Sequence, residues 1–277
     1  MFEILVAVAA IGGMGVIFGA LLAVAAKVFE VKKDERIPKL LEVLPGANCG
    51  GCGYAGCSAY AEAMAAGTAK TNCCPSCNDD AIKKLAEILG TEAEVADKKK
   101  AFVLCSGTNS CAKKKYDYEG ISDCYAASKL GGGMMECSYG CLGLGSCTKK
   151  CPFDAISVAY GVATVDSEKC TGCGACVSEC PKGIIKLLPE KTKKQVMCSS
   201  KDKGKATRQA CSTGCIGCGI CVKNCPTDAI ELKDNIAFIN FEKCTNCGIC
   251  VEKCPQKIIK SFEKKIPEIC IAKKASK

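Results

Sequence analysis

The chain has 277 residues, of which 28 are cysteine, and it contains neither histidine nor tryptophan. Without histidine, His-ligated haem, His-containing zinc sites and imidazole-based nucleophilic catalysis are excluded. The formal charge of +9 comes from lysine, since only Arg36 and Arg208 are arginine. This composition favours an acidic partner or an anionic membrane surface over nucleic acid, which is recognised by arginine and stacking aromatic residues.

The first predicted element is a membrane anchor. Residues 4–26 carry no charge, and at ~1.5 Å rise per residue they would cross the ~30 Å hydrocarbon core as a helix. The chain opens Met1-Phe2-Glu3 without the basic segment that begins a secretory signal peptide, and its apolar run is longer than such a peptide needs. We therefore expect one transmembrane helix in residues 1–27. The basic residues that follow it are Lys27, Lys32, Lys33 and Arg36.

These positive charges predict the topology of the anchor, because basic flanks stay in the cytoplasm. We expect a single-pass protein of the cell inner (cytoplasmic) membrane, with its soluble part on the cytoplasmic side. A reducing cytoplasm disfavours structural disulfides, so the high cysteine content indicates bound metal.

A short linker and a small cysteine-rich domain follow the anchor. Residues 28–46 are predicted as the linker, and residues 47–97 as a domain with helices over 58–66 and 79–89. Its cysteines are spaced Cys49-x2-Cys52-x4-Cys57, and Cys74-Pro75 follows after sixteen residues. Glycines around these thiols suit a chain folded tightly over a [4Fe–4S] cluster. Cys73 and Cys77 remain alternatives to Cys74 as the fourth ligand.

The rest of the chain contains a tandem repeat. Two copies align without gaps at an offset of 74, and nine cysteines from Cys124 to Cys180 match nine from Cys198 to Cys254. The phrases CPFDAI and CPTDAI coincide as well. Duplication predicts two similar modules. The predicted boundaries are 98–190 for the first repeat with its cysteine-rich leader, 191–265 for the second, and 266–277 for a basic tail.

Three stretches read C-x2-C-x2-C-x3-C-P, the pattern of bacterial two-cluster ferredoxins. The first three thiolates of such a run bind one [4Fe–4S] cluster, and the fourth binds the other cluster of the pair. The predicted ligand sets are Cys215, Cys218, Cys221 with Cys254; Cys244, Cys247, Cys250 with Cys225; and Cys170, Cys173, Cys176 with Cys151.

One cluster of the first module lacks a ligand in this alignment, because Leu144 stands where the second copy has Cys218. Cys137 is the nearest replacement, and the resulting set is Cys137, Cys141, Cys147 and Cys180. Five clusters are thereby predicted. A sixth is predicted from four of the remaining cysteines, with spare buried thiols as the alternative; the candidates are Cys105, Cys111, Cys124, Cys198 and Cys211. Cys270 in the tail is expected to be unligated.

No other cofactor site is indicated. The sequence has neither the dinucleotide-binding G-x-G-x-x-G after a strand nor a phosphate-binding P-loop. No catalytic residue is predicted, and Asp154 and Asp228 of the repeated CP-x-DAI phrase are assigned to turns or helix caps. The alternative of another class is a zinc-binding interaction scaffold. Zinc ribbons, however, use paired C-x2-C units rather than a triple followed by x3-C-P.

The order of these motifs resembles a known family. The chain has an N-terminal anchor, then CGGCGYAGC with Cys74-Pro75, and then two ferredoxin modules. In this order it resembles the B subunits of Rnf-type ion-translocating ferredoxin:NAD+ oxidoreductases, in their long multi-ferredoxin form. The resemblance implies an electron-transfer subunit that accepts electrons from reduced ferredoxin and passes them to membrane and flavin subunits. The complete complex would reduce NAD+ and export Na+ or H+. By this resemblance Cys49, Cys52, Cys57 and Cys74 would hold the cluster nearest the membrane.

The expected architecture is therefore α+β: a single N-terminal transmembrane helix, a small helical [4Fe–4S] domain, and two tandem bacterial-type 2[4Fe–4S] ferredoxin modules. Such a chain has no independent catalytic site and serves a translocase-type oxidoreductase as an electron carrier. A ferredoxin-type subunit of another membrane redox complex, such as a hydrogenase, is the alternative within the redox class.

Overall fold

A computed structural model describes residues 2–28, 34–94 and 97–262, with the side chains of 2–11, 26 and 28 left undescribed. The helices are α1 Phe2–Val28, α2 Arg36–Val43, α3 Cys57–Ala65, α4 Asp79–Leu89, α5 Cys124–Lys129, α6 Ser146–Lys149, α7 Ala175–Glu179, α8 Gly204–Ala210, α9 Ile220–Lys223 and α10 Ile249–Lys253. The strands are β1 Lys99–Val103, β2 Ile156–Ala159, β3 Val162–Val165, β4 Ile185–Pro189, β5 Lys194–Val196, β6 Ile230–Lys233, β7 Ile236–Ile239 and β8 Ile259–Ser261. Cys270 and the predicted basic tail lie outside the described residues.

Helix α1 covers the apolar segment at the start of the chain. Its described large apolar side chains, from Met14 to Val24, are exposed. Within the part of the chain that the structure describes, no helix combines the length and the apolar character that crossing a membrane requires. The predicted anchor over residues 4–26 lies partly outside the residues whose side chains are described.

Helices α2 to α4 enclose the first cysteine group. Their shared core includes the fully buried Leu40, Tyr60 and Leu85. The predicted helices of this domain are confirmed as α3 and α4. Helix α4 begins where the side chain of Asn78 accepts a hydrogen bond from the backbone N–H of Ala81 at 2.8 Å, and it ends at Gly90 with φ +67°.

The first ferredoxin module is built from two antiparallel strand pairs. Strand β1 pairs with β4 from Lys99↔Pro189 to Val103↔Ile185, so the start and end of the module lie side by side. Strands β2 and β3 form a hairpin. Buried apolar residues of both pairs pack with buried cysteines in one core, which places the thiols inside the module.

The second module repeats this plan. Hairpin β6–β7 follows β2–β3 at the repeat offset, and β5 pairs with β8 as β1 pairs with β4. Asp154 and Asp228 both adopt φ +47°, a left-handed turn conformation that suits a short polar side chain. The assignment of these two aspartates to turns is thus confirmed.

The first strands of the two modules, β1 and β5, occupy equivalent places, but they are not separated by the 74 residues of the repeat. The N–H of Leu104 donates to the carbonyl of Ile184 at 2.8 Å, and the N–H of Met197 donates to Ile258 at 2.9 Å. The residue after Leu104 is Cys105, so Cys105 in the first module occupies the place that Cys198 has in the second.

An extra segment of the first module explains this shift. Between Cys105 and Cys137 the chain is longer than between Cys198 and Cys211, and it includes helix α5. The added segment has a core of its own, formed by Ala127, Met134, Met135 and Leu142. A gapless alignment hides the insertion and pairs Cys124 with Cys198.

Candidate iron–sulfur centres

The N-terminal cysteine group is held by a polar loop and by helix α3. The Asn48 side chain accepts a hydrogen bond from the backbone N–H of Cys57 at 2.8 Å, which fixes the glycine-rich loop to the start of the helix. Burial, foremost, raises the pKa of Cys52, and the thiols of Cys74 and Cys49 nearby add to the effect. Cys49, Cys52, Cys57 and Cys74 are free thiols in this region.

Cys77 is a fifth thiol of the same group. A hydrogen bond from the Cys77 thiol lowers the pKa of Cys74 to about 6, and the same contact raises the pKa of Cys77. Cys57 and Cys52 also raise the pKa of Cys77, so it lies close to the predicted ligands. Burial, foremost, raises the pKa of Tyr60, and Cys73, Cys74 and Cys77 all add to this effect. Among the alternatives to Cys74, the structure therefore places Cys77 within the group.

In the first module, four predicted ligands come together near β1. Burial raises the pKa of Cys176 to about 12, and the thiols of Cys170, Cys173 and Cys151 contribute. The backbone N–H of Ala101 points to Cys170 Sγ at 3.5 Å, and that of Ala155 points to Cys151 Sγ at 3.4 Å. Backbone N–H groups directed at sulfur are the environment that tunes a thiolate-bound cluster.

The second module has two thiol-lined cavities. The space between their lining residues, open solvent included, is about 360 Å³ in one and about 310 Å³ in the other. The first is lined by Cys215, Cys218, Cys221 and Cys254. The second is lined by Cys225, Cys244, Cys247 and Cys250. In each cavity three thiols of one run meet the fourth cysteine of the other run, which is the crossed arrangement expected from the motif.

The corresponding cavity of the first module differs from the prediction in one residue. Its volume, open solvent included, is about 390 Å³, and its cysteines are Cys124, Cys141, Cys147 and Cys180. Cys137 does not line it. The N–H of Cys124 donates to Ser146 Oγ at 2.7 Å, and Ser146 Oγ donates to Asp123 at 2.8 Å, which ties the start of α5 beside Cys147. Cys124 therefore supplies the fourth thiol of this cavity, because Leu144 stands where the second copy has Cys218.

Cys137 lies instead in a cavity between the two modules. The volume of this cavity, open solvent included, is about 450 Å³. Its lining cysteines are Cys105, Cys137, Cys141, Cys198 and Cys211. Cys111, another candidate for the sixth cluster, is not among the lining residues. The sequence offered one signal that was missed: Cys105-Ser106 and Cys198-Ser199 each follow an apolar pair at the end of a strand.

The donor sets fit four-iron clusters. Within the described ranges, no group of three or more His, Cys, Asp or Glu side chains could hold a metal ion. A [4Fe–4S] cluster makes a different demand, because each thiolate binds its own iron at one corner of a cube. Four thiols around a cavity, with backbone N–H groups directed at sulfur, supply the ligands and the polar contacts that such a cube needs.

Neighbouring thiol groups lie close to one another along the chain. The pKa of Cys173 is raised by burial, foremost, and Cys49 of the N-terminal group adds to the effect. The pKa of Cys147 is raised to about 12 by burial, and Cys176 of the adjacent group contributes. The packing agrees with these influences. A Cβ at Gly51 of the N-terminal loop would lie 2.7 Å from the carbonyl oxygen of Cys173, and both thiol groups of the first module contribute cysteines to one core.

Three family models match the chain. One described as "Putative Fe-S cluster" matches residues 44–76, one described as "4Fe-4S binding domain" matches 163–186, and one described as "4Fe-4S dicluster domain" matches 214–258. The chain therefore carries [4Fe–4S] clusters, and the zinc alternative is not supported.

Curated relatives extend the similarity over most of the chain. The B subunit of the Na(+)-translocating ferredoxin:NAD(+) oxidoreductase complex of Acetobacterium woodii is 48% identical over 87% of this chain and 72% of its own length. Its counterpart in the proton-translocating complex of Clostridium ljungdahlii is 45% identical over 82% and 81%. The B subunit of the ion-translocating oxidoreductase complex of Methanosarcina acetivorans is 41% identical over 85% and 90%.

Thiol-lined cavities set in two repeated ferredoxin modules define an electron carrier with several iron–sulfur clusters. The N-terminal cysteine domain, which a family model of its own matches, distinguishes this chain from a carrier built of ferredoxin modules alone. The chain belongs to the family of B subunits of ion-translocating ferredoxin:NAD(+) oxidoreductase complexes, and it is an electron-transfer subunit of an oxidoreductase.

Proposed function

We propose that this subunit accepts electrons from reduced ferredoxin and delivers them to the membrane and flavin subunits of an ion-pumping ferredoxin:NAD+ oxidoreductase. Bound [4Fe–4S] clusters supply one-electron redox chemistry, and the chain's own residues hold them in sequence. The observation that carries the proposal is the contact between successive thiol groups: a Cβ at Gly51, next to Cys52, would lie 2.7 Å from the carbonyl oxygen of Cys173. Because electron transfer needs short distances, such spacing is what a conducting subunit requires.

The second module is proposed to receive the electrons. Cys218 and Cys247 are the exposed thiols among the described cysteines, and both belong to this module. The exposed Lys243 and Lys253 directly precede the ligands Cys244 and Cys254. A positive surface beside an accessible cluster speeds encounter with an acidic donor such as ferredoxin.

Rapid mixing of reduced ferredoxin with the oxidised full chain, without oxygen, tests the role of this surface. The variant K243Q/K253Q should lower the second-order rate of reduction about threefold to tenfold at low salt, and high salt should remove the difference. The matched control is K83Q/K84Q, which removes two exposed lysines of α4. Equal rates for wild type and K243Q/K253Q, or equal losses in both variants, would contradict the assignment.

Metal analysis tests the redox function itself. Four cysteines per cluster and five or six clusters predict ~20–24 iron atoms per chain and an equal amount of sulfide after anaerobic purification. Fewer than ~16 iron atoms would break the assignment of the modules. Dithionite should produce a low-temperature paramagnetic signal, and its absence would exclude an electron carrier.

We also propose that α1 anchors the subunit in the cytoplasmic membrane, with the clusters on the cytoplasmic side. The uncharged residues 4–26, the basic residues after them and the exposed apolar side chains from Met14 to Val24 support this. Removal of residues 1–26 should release a soluble protein that keeps its clusters. Retention in the membrane without partner subunits would contradict a single anchor.

A further inference from the structure

Lys194 is the buried residue among the charged side chains that the structure describes, with 6% of its surface exposed. It lies in β5 and lines the Cys244 cavity, which Cys225, Cys247 and Cys250 also line. A buried ammonium group is costly unless polar or anionic groups surround it. The neighbours of Lys194 therefore decide what this charge does.

The charged end of Lys194 is held beside the loop that carries the thiols. Its Nζ donates to Ser261 Oγ at 2.6 Å, and a Cβ added to Gly248 would lie 3.8 Å from its Cε. Gly248 directly follows Cys247 and precedes α10. Because Cε is bonded to the ammonium nitrogen, the positive charge lies next to the loop of cluster ligands.

The first module has an apolar pair where the second has Lys194 and Ser261. In the strand pairing, Ala101 faces Leu187 and Lys194 faces Ser261. Leu187 and Ser261 are 74 residues apart, so they are equivalent in the repeat. Both members of the pair therefore differ between the modules, and in the second module they are hydrogen-bonded to each other.

The same glycine of the ligand loop meets different side chains in the two modules. Gly174 is the repeat equivalent of Gly248. A Cβ added to Gly174 would lie 3.5 Å from Cδ1 of Leu187, whereas at Gly248 the neighbour is Cε of Lys194. The place beside this loop is therefore filled by a methyl group in the first module and by a lysine side chain in the second.

Lys194 is not a copy of the lysine that lies near the ligand loop of the first module. That residue is Lys100, whose Nζ donates to the carbonyl of Cys170 at 2.7 Å and lies 3.7 Å from the carboxylate of Glu190. In the strand equivalence of Leu104 and Met197, Lys100 corresponds to the exposed Lys193. The buried charge is thus a feature of the second module.

A cation at this place changes the balance between the oxidised and reduced forms of a bound cluster. The reduction potential of a [4Fe–4S] cluster is set in part by net charge. Taking up one electron adds one negative charge to the cluster, and no bond forms or breaks. A nearby ammonium group therefore stabilises the reduced form more than the oxidised form, and burial limits the screening of this attraction.

We propose that Lys194 is a potential-setting residue, whose ammonium group raises the reduction potential of the cluster in the Cys244 cavity. Lys194 lies outside residues 214–258, which the dicluster model matches, so the ferredoxin motif does not include it. In a second module that receives electrons from a donor, the raised potential favours their uptake at this cluster. This last consequence rests on the proposed function, whereas the effect on the potential does not.

Replacement of Lys194 in the full chain, purified without oxygen, tests the effect. K194M keeps the apolar stem and removes the charge, so the iron and sulfide contents should stay at the wild-type level. The equilibrium constant for reduction of one cluster should fall about tenfold, a shift of ~59 mV to more negative potential. The measurement is a redox titration with chemical mediators, followed by low-temperature paramagnetic resonance. The sign holds whatever else the ammonium binds, because an anionic partner left behind would also oppose reduction.

The matched control is K193M, which removes an exposed charge from the adjacent residue. It should leave the potentials of all clusters at their wild-type values. An unshifted potential in K194M, or the same shift in K193M, would overturn the proposal.

A gain of charge in the first module gives a second test that leaves Lys194 in place. L187K adds an ammonium group opposite Ala101 and beside Gly174, so the equilibrium constant for reduction of the cluster at Cys170 should rise about tenfold. This variant decides the case if K194M loses its cluster, because an unchanged potential in L187K would overturn the proposal. Neither titration uses ferredoxin. A chain that shows both shifts but is not reduced by ferredoxin would refute the proposed donor and leave the effect of Lys194 standing.

Discussion

The hydroxyl groups of Ser76 and Thr171 are hydrogen-bonded at 3.0 Å, although 95 residues separate them. Ser76 follows Cys74-Pro75 of the N-terminal group, and Thr171 lies between Cys170 and Cys173 of the first module. The loops that carry two predicted clusters therefore touch directly. In the proposed function, this contact is where the N-terminal group meets the first module.

Gly51 is the residue that allows these loops to approach. A Cβ at this position would lie 2.7 Å from the carbonyl oxygen of Cys173, a backbone atom that cannot turn aside. Gly51→Ala should therefore push the domain away from the first module at a cost of ~1–3 kcal/mol. We expect unchanged iron content, faster proteolysis between 90 and 98, and slower reduction of the N-terminal cluster by ferredoxin.

Ser76→Ala is the control for this variant, because it removes the hydrogen bond to Thr171 without adding bulk. Its effect should be smaller, ~0.5–1.5 kcal/mol. If Gly51→Ala matched wild type in proteolysis and in reduction rate, the contact between the loops would not be the route to the N-terminal cluster.

Tyr60 supports the N-terminal group from its core. It is 1% exposed, and its hydroxyl donates to the carbonyl of Lys70 at 2.6 Å. Tyr60→Phe should cost ~1 kcal/mol through the lost hydrogen bond, whereas Tyr60→Ala should cost ~3–5 kcal/mol through the cavity it leaves. The rate of iron release in guanidinium, measured without oxygen, should rise in that order.

In both Tyr60 variants the released iron should come first from the N-terminal group, because the modules have separate cores. Wild-type protein provides the reference rate. Equal release from all clusters in Tyr60→Ala would show that the domain and the modules unfold as one unit.

Local spacing was enough to predict much of this architecture. A run of C-x2-C-x2-C-x3-C-P fixes its own geometry, so the thiols of the Cys215 and Cys244 runs meet as the motif implies. Helix α4 could also be predicted to its ends, since Asn78 and Gly90 terminate it through local hydrogen bonds and backbone angles.

Contacts between distant segments could not be predicted in the same way. The choice between Cys124 and Cys137 depends on how the extra segment folds back on Ser146, which no spacing encodes. The cavity between the two modules depends on how the modules face each other. A gapless repeat misled here, because it paired Cys198 with Cys124 although the strands pair it with Cys105.

Cys124 and Cys137 should therefore bind different clusters. Cys124→Ser and Cys137→Ser should each disturb one cluster, with a loss of up to about four iron atoms, and the losses should add in the double variant. If both residues bound the same cluster, the double variant would lose no more iron than either single one. Iron and sulfide analysis with quantified paramagnetic signals distinguishes the two results.

Lys182 forms hydrogen bonds with the extra segment of the first module, which carries Cys124 and leads to Cys137. Its Nζ donates to the carbonyls of Gly132 at 2.6 Å and Ser138 at 2.7 Å. Lys182→Met keeps the apolar stem but leaves both carbonyls without this donor, at a cost of ~1–3 kcal/mol. We expect the segment from 131 to 139 to become sensitive to protease while the second module stays resistant.

The exposed Lys186 of β4 gives the matched control, since Lys186→Met removes the same charge from the same module. The same protease pattern in both variants would mean that the total charge of the module, rather than the two carbonyl contacts, holds the segment in place.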